Sequence, residues 1–255
     1  MRLVEKLKRK LKREDYQINT DGDLYKLLYE DFTIYSHNKE CIERAFTQIF
    51  KNAFYDFDVE DSSPLILDVG ANIGMAVLYW KKKYPEARII AFEPDKKAFK
   101  SLLKNVEANN LTNVKCLNKA ISDKEGYAEF NTNEIISGSI IREKNLRTKY
   151  SVETTTLKKF LEEKIDFLKV DIEGSEKFIF NDLKDSIGNI KFLFLEYHSF
   201  IHENQYLAKF LDLFERNGFR YIIEDEFKRK GHFVKMKNSL NQDMQLNIWA
   251  RKNIS

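Results

Sequence analysis

Cysteine, proline and glycine are all scarce in this chain, and each scarcity excludes something. The 2 cysteines, Cys41 and Cys116, stand far apart and in no C-x-x-C pair. That argues against a disulfide scaffold or a cysteine zinc site and fits a reducing compartment. Cys116 lies in the apolar run 114–117 and reads as plain core. With 3 prolines and 9 glycines in 255 residues, no long disordered or low-complexity region is expected. No apolar run approaches the length of a membrane span. The first residues also lack the uninterrupted apolar stretch of a signal peptide, so the expected location is cytoplasmic. A net charge of only +3 does not mark a polyanion binder, and no stable nucleic-acid partner is expected. What is present is core-forming material: 43% hydrophobic and 13% aromatic residues. That is enough for one α/β domain with an appendage.

Apolar runs place strands at 65–69, 88–92, 114–118, 166–170, 191–195, 219–223 and 245–250, with a short strand at 126–130. Helices are expected at 74–83, 95–109, 157–163, 175–184 and 204–217, the last ending at Gly218 as a C-cap. Strands separated by helices make a mostly parallel sheet with helices on both faces. Residues 131–150 read as a polar, partly basic loop. The link 224–244 reads as a loop or hairpin, so the last strand runs antiparallel to the one before it.

Ahead of this alternation, residues 1–14 place Leu3, Leu7 and Leu11 at helical spacing among seven basic residues. This amphipathic helix packs its leucines on the body or on a second subunit, or it touches an anionic membrane face. Residues 40–55 look helical, and 56–64 form an acidic linker. Tyr55 is either buried packing or a residue that reaches a ligand.

The segment from Leu65 to Pro94 carries the chemistry. Strand, glycine loop, helix, strand and acid follow in the order of a nucleotide-cofactor crossover unit. A dinucleotide loop needs G-x-G-x-x-G, but here Asn72 and Met75 occupy its second and third glycine positions. Asp68 also sits just ahead of the loop, where an acid is poor company for a diphosphate. It suits a cofactor with an ammonium and a sulfonium, which S-adenosylmethionine has. A nicotinamide dehydrogenase is therefore the weakest reading. Glu93, at the end of the second strand, suits a ribose, because a carboxylate accepts hydrogen bonds from both hydroxyls.

Ligands in open parallel sheets sit beyond the carboxyl ends of the strands. Those ends carry Asp68, Glu93, Asn118, Asp171 with Glu173, and Glu196 with His198. The pieces D-V-G-A-N-I-G, A-F-E-P, T-T-T-L, K-V-D-I-E-G-S-E and L-E-Y-H together resemble the FkbM-type methyltransferases, over roughly residues 45–200. The resemblance implies a Rossmann-like class I fold, with a seven-stranded, mostly parallel sheet and an antiparallel last strand. It also implies S-adenosylmethionine as cofactor and O-methylation of hydroxyls on sugars, glycolipids or small metabolites. On this reading residues 1–63 are a helical appendage and lead-in, and 64–255 are the methyltransferase domain. By resemblance, Asp68, Gly70, Asn72 and Gly74 surround the methionine part of the cofactor. Glu93 takes the ribose, Asn118 to Ala120 flank the adenine, and Asp171 holds the amino group or the acceptor.

Methyl transfer is an in-line displacement in which positioning supplies most of the rate, helped by a base on the acceptor hydroxyl. His198 is the expected base, with Glu196 two residues earlier on the same strand face to orient it. The alternative for His198 is a polar strand-end bystander. Asp171, Glu173, Glu196 and His198 have a second reading as ligands for magnesium or calcium. Against it, Glu173 and Glu176 are explained by a helix start. His37, His202 and His232 read as surface. An RNA methyltransferase is the competing function, motivated by Arg142, Lys144, Arg147, Lys149 and the segment 228–237. A dedicated RNA enzyme shows a stronger basic bias. A non-catalytic scaffold would show decay at Asp68, Gly70, Glu93 and Asp171, and all four are present.

Overall fold

The computed structural model describes residues 16–133, 147–227 and 241–253, together with 231, 234 and 236–238. The basic segment 1–14, Arg142, Lys144 and His232 lie outside the described residues. Among the described residues, no helix is long and apolar enough to cross a membrane.

The helical appendage expected over the lead-in is only partly there. Residues 17–36 form an antiparallel meander of β1 (Gln17–Asp21), β2 (Leu24–Tyr29) and β3 (Phe32–Ser36). The reason is local: aromatic and branched residues are concentrated along β2 (LYKLLY) and β3 (FTIYS). Each connection is a two-residue turn, opened by Gly22 at φ +60° and by Glu30 at φ +49°. The helix expected at 40–55 is present as α1 (Lys39–Phe46), capped by Asn38 and continued by a π-helical turn at Thr47–Lys51.

The main sheet holds β4 (Leu65–Val69), β5 (Arg88–Phe92), β6 (Val114–Leu117), β10 (Ile165–Val170), β11 (Ile190–Phe200), β12 (Phe219–Asp225) and β13 (Gln242–Lys252). Their order is β12-β13-β11-β10-β4-β5-β6. The sheet is parallel from β6 to β11, and β13 runs antiparallel to both β11 and β12. The α/β, mostly parallel reading is thus met. The insertion of β13 between β11 and β12 also explains why these strands outrun their expected lengths. Paired on both sides, β13 extends the ladder to Phe200.

Alternate residues of β4 feed two cores. Leu65, Leu67 and Val69 join one face, covered by α4 (Glu176–Ser186) and α5 (Leu207–Arg216). Ile66 joins the other, covered by α1, α2 (Met75–Lys83) and α3 (Lys96–Ala108). Two expectations fail nearby. The polar loop at 131–150 is partly strand, because β7 (Lys119–Ile121), β8 (Gly126–Asn133) and β9 (Arg147–Thr155) form a second small sheet. The helix expected at 157–163 is a single 3-10 turn, Lys158–Phe160. Its apolar pattern serves two anchors, since Leu157 and Leu161 are both fully buried.

One side chain ties the meander to the glycine loop. Asn105, buried on α3, accepts from Tyr35 N at 2.6 Å and donates to Tyr35 O at 3.0 Å and Ile73 O at 2.7 Å. Asn109, one turn on, brackets Thr33 in the same way. The two asparagines thus stand in for a strand neighbour along the edge of β3. Asn105→Ala leaves buried backbone groups unpaired and is expected to destabilise the fold by about 3 kcal/mol. Urea unfolding checks this; a loss under about 1 kcal/mol would contradict the bracing role.

Candidate active site

The glycine loop is shaped by three left-handed residues, Gly70 at φ +87°, Asn72 at φ +51° and Gly74 at φ +82°. Asparagine tolerates this region better than most residues. The loop is pinned to the next strand, with Gly70 N and Ala71 N both donating to Phe92 O, at 3.0 and 2.9 Å. At Gly70 an added Cβ would sit 1.8 Å from the carbonyl oxygen of Asp171. The ends of β4 and β10 therefore meet with no space for a side chain. Gly74 caps the start of α2, against Leu102.

A cleft opens along the carboxyl edge of the sheet. Gly70, Asn72, Asp171 and Glu196 line it, joined by Tyr55, Lys169, Glu173 and Glu226 and by Arg44 and Gln48 from the α1 side. The structure thus gathers four of the expected site residues around one space. Tyr55 resolves both ways: it is packed against Trp80 and Phe194 yet reaches the cleft wall.

Asp68 does not reach the cleft. It is fully buried beneath the loop, where the parallel register sets Lys169 directly beside it. Lys169 Nζ lies 3.1 Å from Asp68 Oδ1 and 3.9 Å from Asp171 Oδ2, and it donates to Gly70 O at 2.7 Å. Burial works against the Lys169 charge, but the two carboxylates outweigh it and hold its pKa above the ordinary value. Burial raises the Asp68 pKa, partly offset by Lys169. The acid expected to face a cationic cofactor is thus already matched from within, and of the two carboxylates beside Lys169 it is Asp171 that lines the cleft. Lys169 is a site residue that the sequence reading missed. A lone lysine in the buried run F-L-K-V demanded a partner, and that was the available signal.

Glu93 is buried behind Asn72. Its carboxylate accepts from Asn72 N and from Asp95 N, both at 2.7 Å. Burial pushes its pKa up to about 8 despite these two bonds. Asn118 donates its amide nitrogen to Glu93 O at 2.7 Å and Pro94 O at 3.2 Å, which shapes the turn after β6. Ala120 pairs with Thr154 in the small sheet and is outside the cleft lining.

His198 departs most from expectation. It is buried, and its Nδ1 lies 3.0 Å from Glu176 Oε1. Its Nε2 faces Glu173 Oε2 and Glu196 Oε1, each at 3.6 Å, without a hydrogen bond. Burial disfavours its charge, but Glu176, Glu173 and Glu196 outweigh that and raise its pKa well above the ordinary value. Both ring nitrogens thus face carboxylates of the chain itself, Nδ1 toward Glu176 and Nε2 toward Glu173 and Glu196. Glu196 does share its strand face, yet the partner that orients the ring is Glu176. That glutamate, read from sequence as a helix-start acid, also accepts from Gly174 N at 3.0 Å. Glu196 itself is held by Gln245, and burial pushes its pKa up to about 8. His37 and His202 are exposed, as expected.

Known proteins are similar to this chain in sequence and fold. A methyltransferase from Beauveria bassiana (strain ARSEF 2860), Methyltransferase 1, is 29% identical over 62% of this chain and 74% of its own. The 2-O-methyltransferase NoeI of Sinorhizobium fredii (strain NBRC 101917 / NGR234) is 29% identical over 54% of this chain and 65% of its own. Among solved structures, the methyltransferase FkbM from Methylobacillus flagellatus KT has the same fold. It gives a TM-score of 0.51 at 14% identity, over 81% of this chain and 47% of that one. This chain thus spans about half the length of that protein. Residues 68–221 match the family model described as the methyltransferase FkbM domain. With that match lying over the strands that build the cleft, the chain belongs to the FkbM methyltransferase family and is a methyltransferase.

Proposed function

We propose that the cleft takes S-adenosylmethionine and that the methyl group passes to a hydroxyl of a sugar, glycan, glycolipid or small metabolite. The observation that carries this reading is the opening of the Gly70–Asn72 loop and the acids of β10 and β11 onto one space. The residues suit that cofactor. The left-handed loop lets backbone approach closely, Asp171 offers a carboxylate in the cleft for the ammonium, and Glu93, behind Asn72 and outside the cleft lining, keeps lone pairs beyond its two backbone bonds. When bound, the cofactor supplies a methyl group activated on a sulfonium. The chain's own part is positioning, worth about 7–11 kcal/mol in favourable cases. Glu196, also in the cleft wall, accepts a hydrogen bond from the acceptor, which orients its oxygen. A polar wall of Arg44, Gln48 and carboxylates suits a hydroxyl-rich acceptor, and NoeI is named as a 2-O-methyltransferase.

The test is a cell extract from a deletion strain, incubated with methyl-labelled cofactor and the protein. Label on an oxygen of a hydroxyl-bearing metabolite or glycan supports the reading. Label on RNA, nitrogen or carbon contradicts it.

Glu93 adds a pH prediction. With its pKa at about 8, its carboxyl is largely protonated at neutral pH in the free protein. Ribose hydroxyls donate to the ionised form, so cofactor binding expels a proton. Affinity then rises by up to about tenfold per pH unit between about pH 6 and 8, and levels off above. Calorimetry in buffers of different ionisation heat reads the released proton. A flat profile, or one unchanged in Glu93→Gln, removes Glu93 from the ribose.

A further inference from the structure

Where the strand ends of β10 and β11 meet, Asp171, Glu196 and His198 bring one ligand atom each to within 4.8 Å of one another. Acids alone gather at many strand ends, but here a second feature is independent of them. His198 is a buried imidazole whose Nε2 makes no hydrogen bond and points at the carboxylates of Glu196 and Glu173, at 3.6 Å each. Its other nitrogen, Nδ1, is engaged by Glu176 Oε1 at 3.0 Å. Metal-ligating histidines are held in this way: Nδ1–H donates to a carboxylate, which sets the tautomer and aims the Nε2 lone pair. Glu176 is itself fixed by Gly174 N and is almost fully buried, so the ring has little freedom to turn away.

The geometry points to a divalent-cation site formed by Asp171, Glu196 and His198, with Glu176 as the positioning residue behind the imidazole. One nitrogen and two carboxylates form a ligand set of intermediate hardness, which suits manganese better than calcium. The bound dication takes the Nε2 lone pair, any proton held there leaving to solvent, and it meets the negative charge that the carboxylates concentrate there. Asp171 and Glu196 line the cleft while His198 backs them, so the ion keeps open positions toward the acceptor. The acceptor class that fits is a vicinal pair of oxygens, such as a sugar diol, which chelates the ion and presents one hydroxyl. This assignment deepens the proposed O-methylation and rests on it only for the identity of the acceptor.

The experiment is titration of the metal-stripped full chain with Mn2+, followed by loss of the free-ion electron paramagnetic resonance signal. The expected result is one equivalent bound. His198→Gln and Asp171→Asn should each weaken binding at least about tenfold, and Glu176→Gln about 10–100-fold. Glu163→Gln is the control: its carboxylate is exposed, paired with Arg88 and absent from the cleft lining. Binding there should be unchanged. Should His198→Gln fail to fold, Asp171→Asn carries the test, since its side chain is partly exposed. Absence of stoichiometric binding, or binding indifferent to Asp171→Asn, overturns the site. Cofactor calorimetry in EDTA separates the two ideas. If Mn2+ does not bind but cofactor binds and methyl transfer proceeds in EDTA, the cation site falls and the methyl-transfer reading stands. If Mn2+ binds at the cluster but no hydroxyl is methylated, the cation site stands and the acceptor assignment falls.

Discussion

Gly70→Ala is expected to destabilise the protein by about 2–5 kcal/mol and to lower turnover on the order of 100-fold. Two separate costs add here. A non-glycine residue at φ +87° costs about 1–2 kcal/mol. The new Cβ also lands 1.8 Å from the Asp171 carbonyl oxygen, which is backbone and cannot rotate aside. Making room separates the ends of β4 and β10, at a typical overpacking cost of about 1–3 kcal/mol. It also shifts Asp171, which lines the cleft. Gly218→Ala is the matched comparison, because it has φ +76° with nothing within 4 Å of the added Cβ. It should show the backbone cost alone. Urea unfolding of both variants isolates the clash as their difference, and equal losses would mean that the two strand ends are not in tight contact.

Lys169→Met should cost about 3–5 kcal/mol, because it strands the Asp68 carboxylate in the core without its counter-charge. The side chains of both residues are almost fully buried, at 5% and 0% exposure, so solvent gives little relief. The variant also removes the donor to Gly70 O, which loosens the glycine loop. Adding Asp68→Asn to Lys169→Met removes the orphaned charge and should recover most of the lost stability, but not the loop bond. Chemical denaturation of the two singles and the double gives the coupling. If Lys169→Met alone is nearly neutral, or the double is worse than the sum of the singles, the ion pair is not what holds the loop floor.

These two variants mark where sequence reasoning succeeded and where it stopped. Gly70 was legible as a loop residue because left-handed backbone leaves a glycine signature. What its missing Cβ makes room for, the Asp171 carbonyl about 100 positions away, has no local signature. Strand identity was legible from unbroken apolar runs bounded by acids. Strand lengths at the C-terminal end were not, because they depend on β13 entering between β11 and β12. The meander was missed because its alternation is mixed with charged residues and its edge is satisfied by asparagines of a distant helix. His198 stood out in the sequence because a histidine at a buried strand end is uncommon. Its contact with Glu176 was not legible there, because Glu176 lies on another element and meets the ring only in space.

By itself, the sequence determined the alternation of strand and helix, the cofactor-type glycine loop, and which strand ends carry acids, because each is written within a few consecutive residues. The tertiary structure alone decided which acids are matched and which are exposed. Parallel register set Lys169 against Asp68 and left Asp171 facing the cleft, and the packing of α4 against the end of β11 gave His198 to Glu176. Those outcomes are charge–charge and burial effects between residues far apart in the chain. Their sign depends on distance and solvent access, which exist only once the chain is folded.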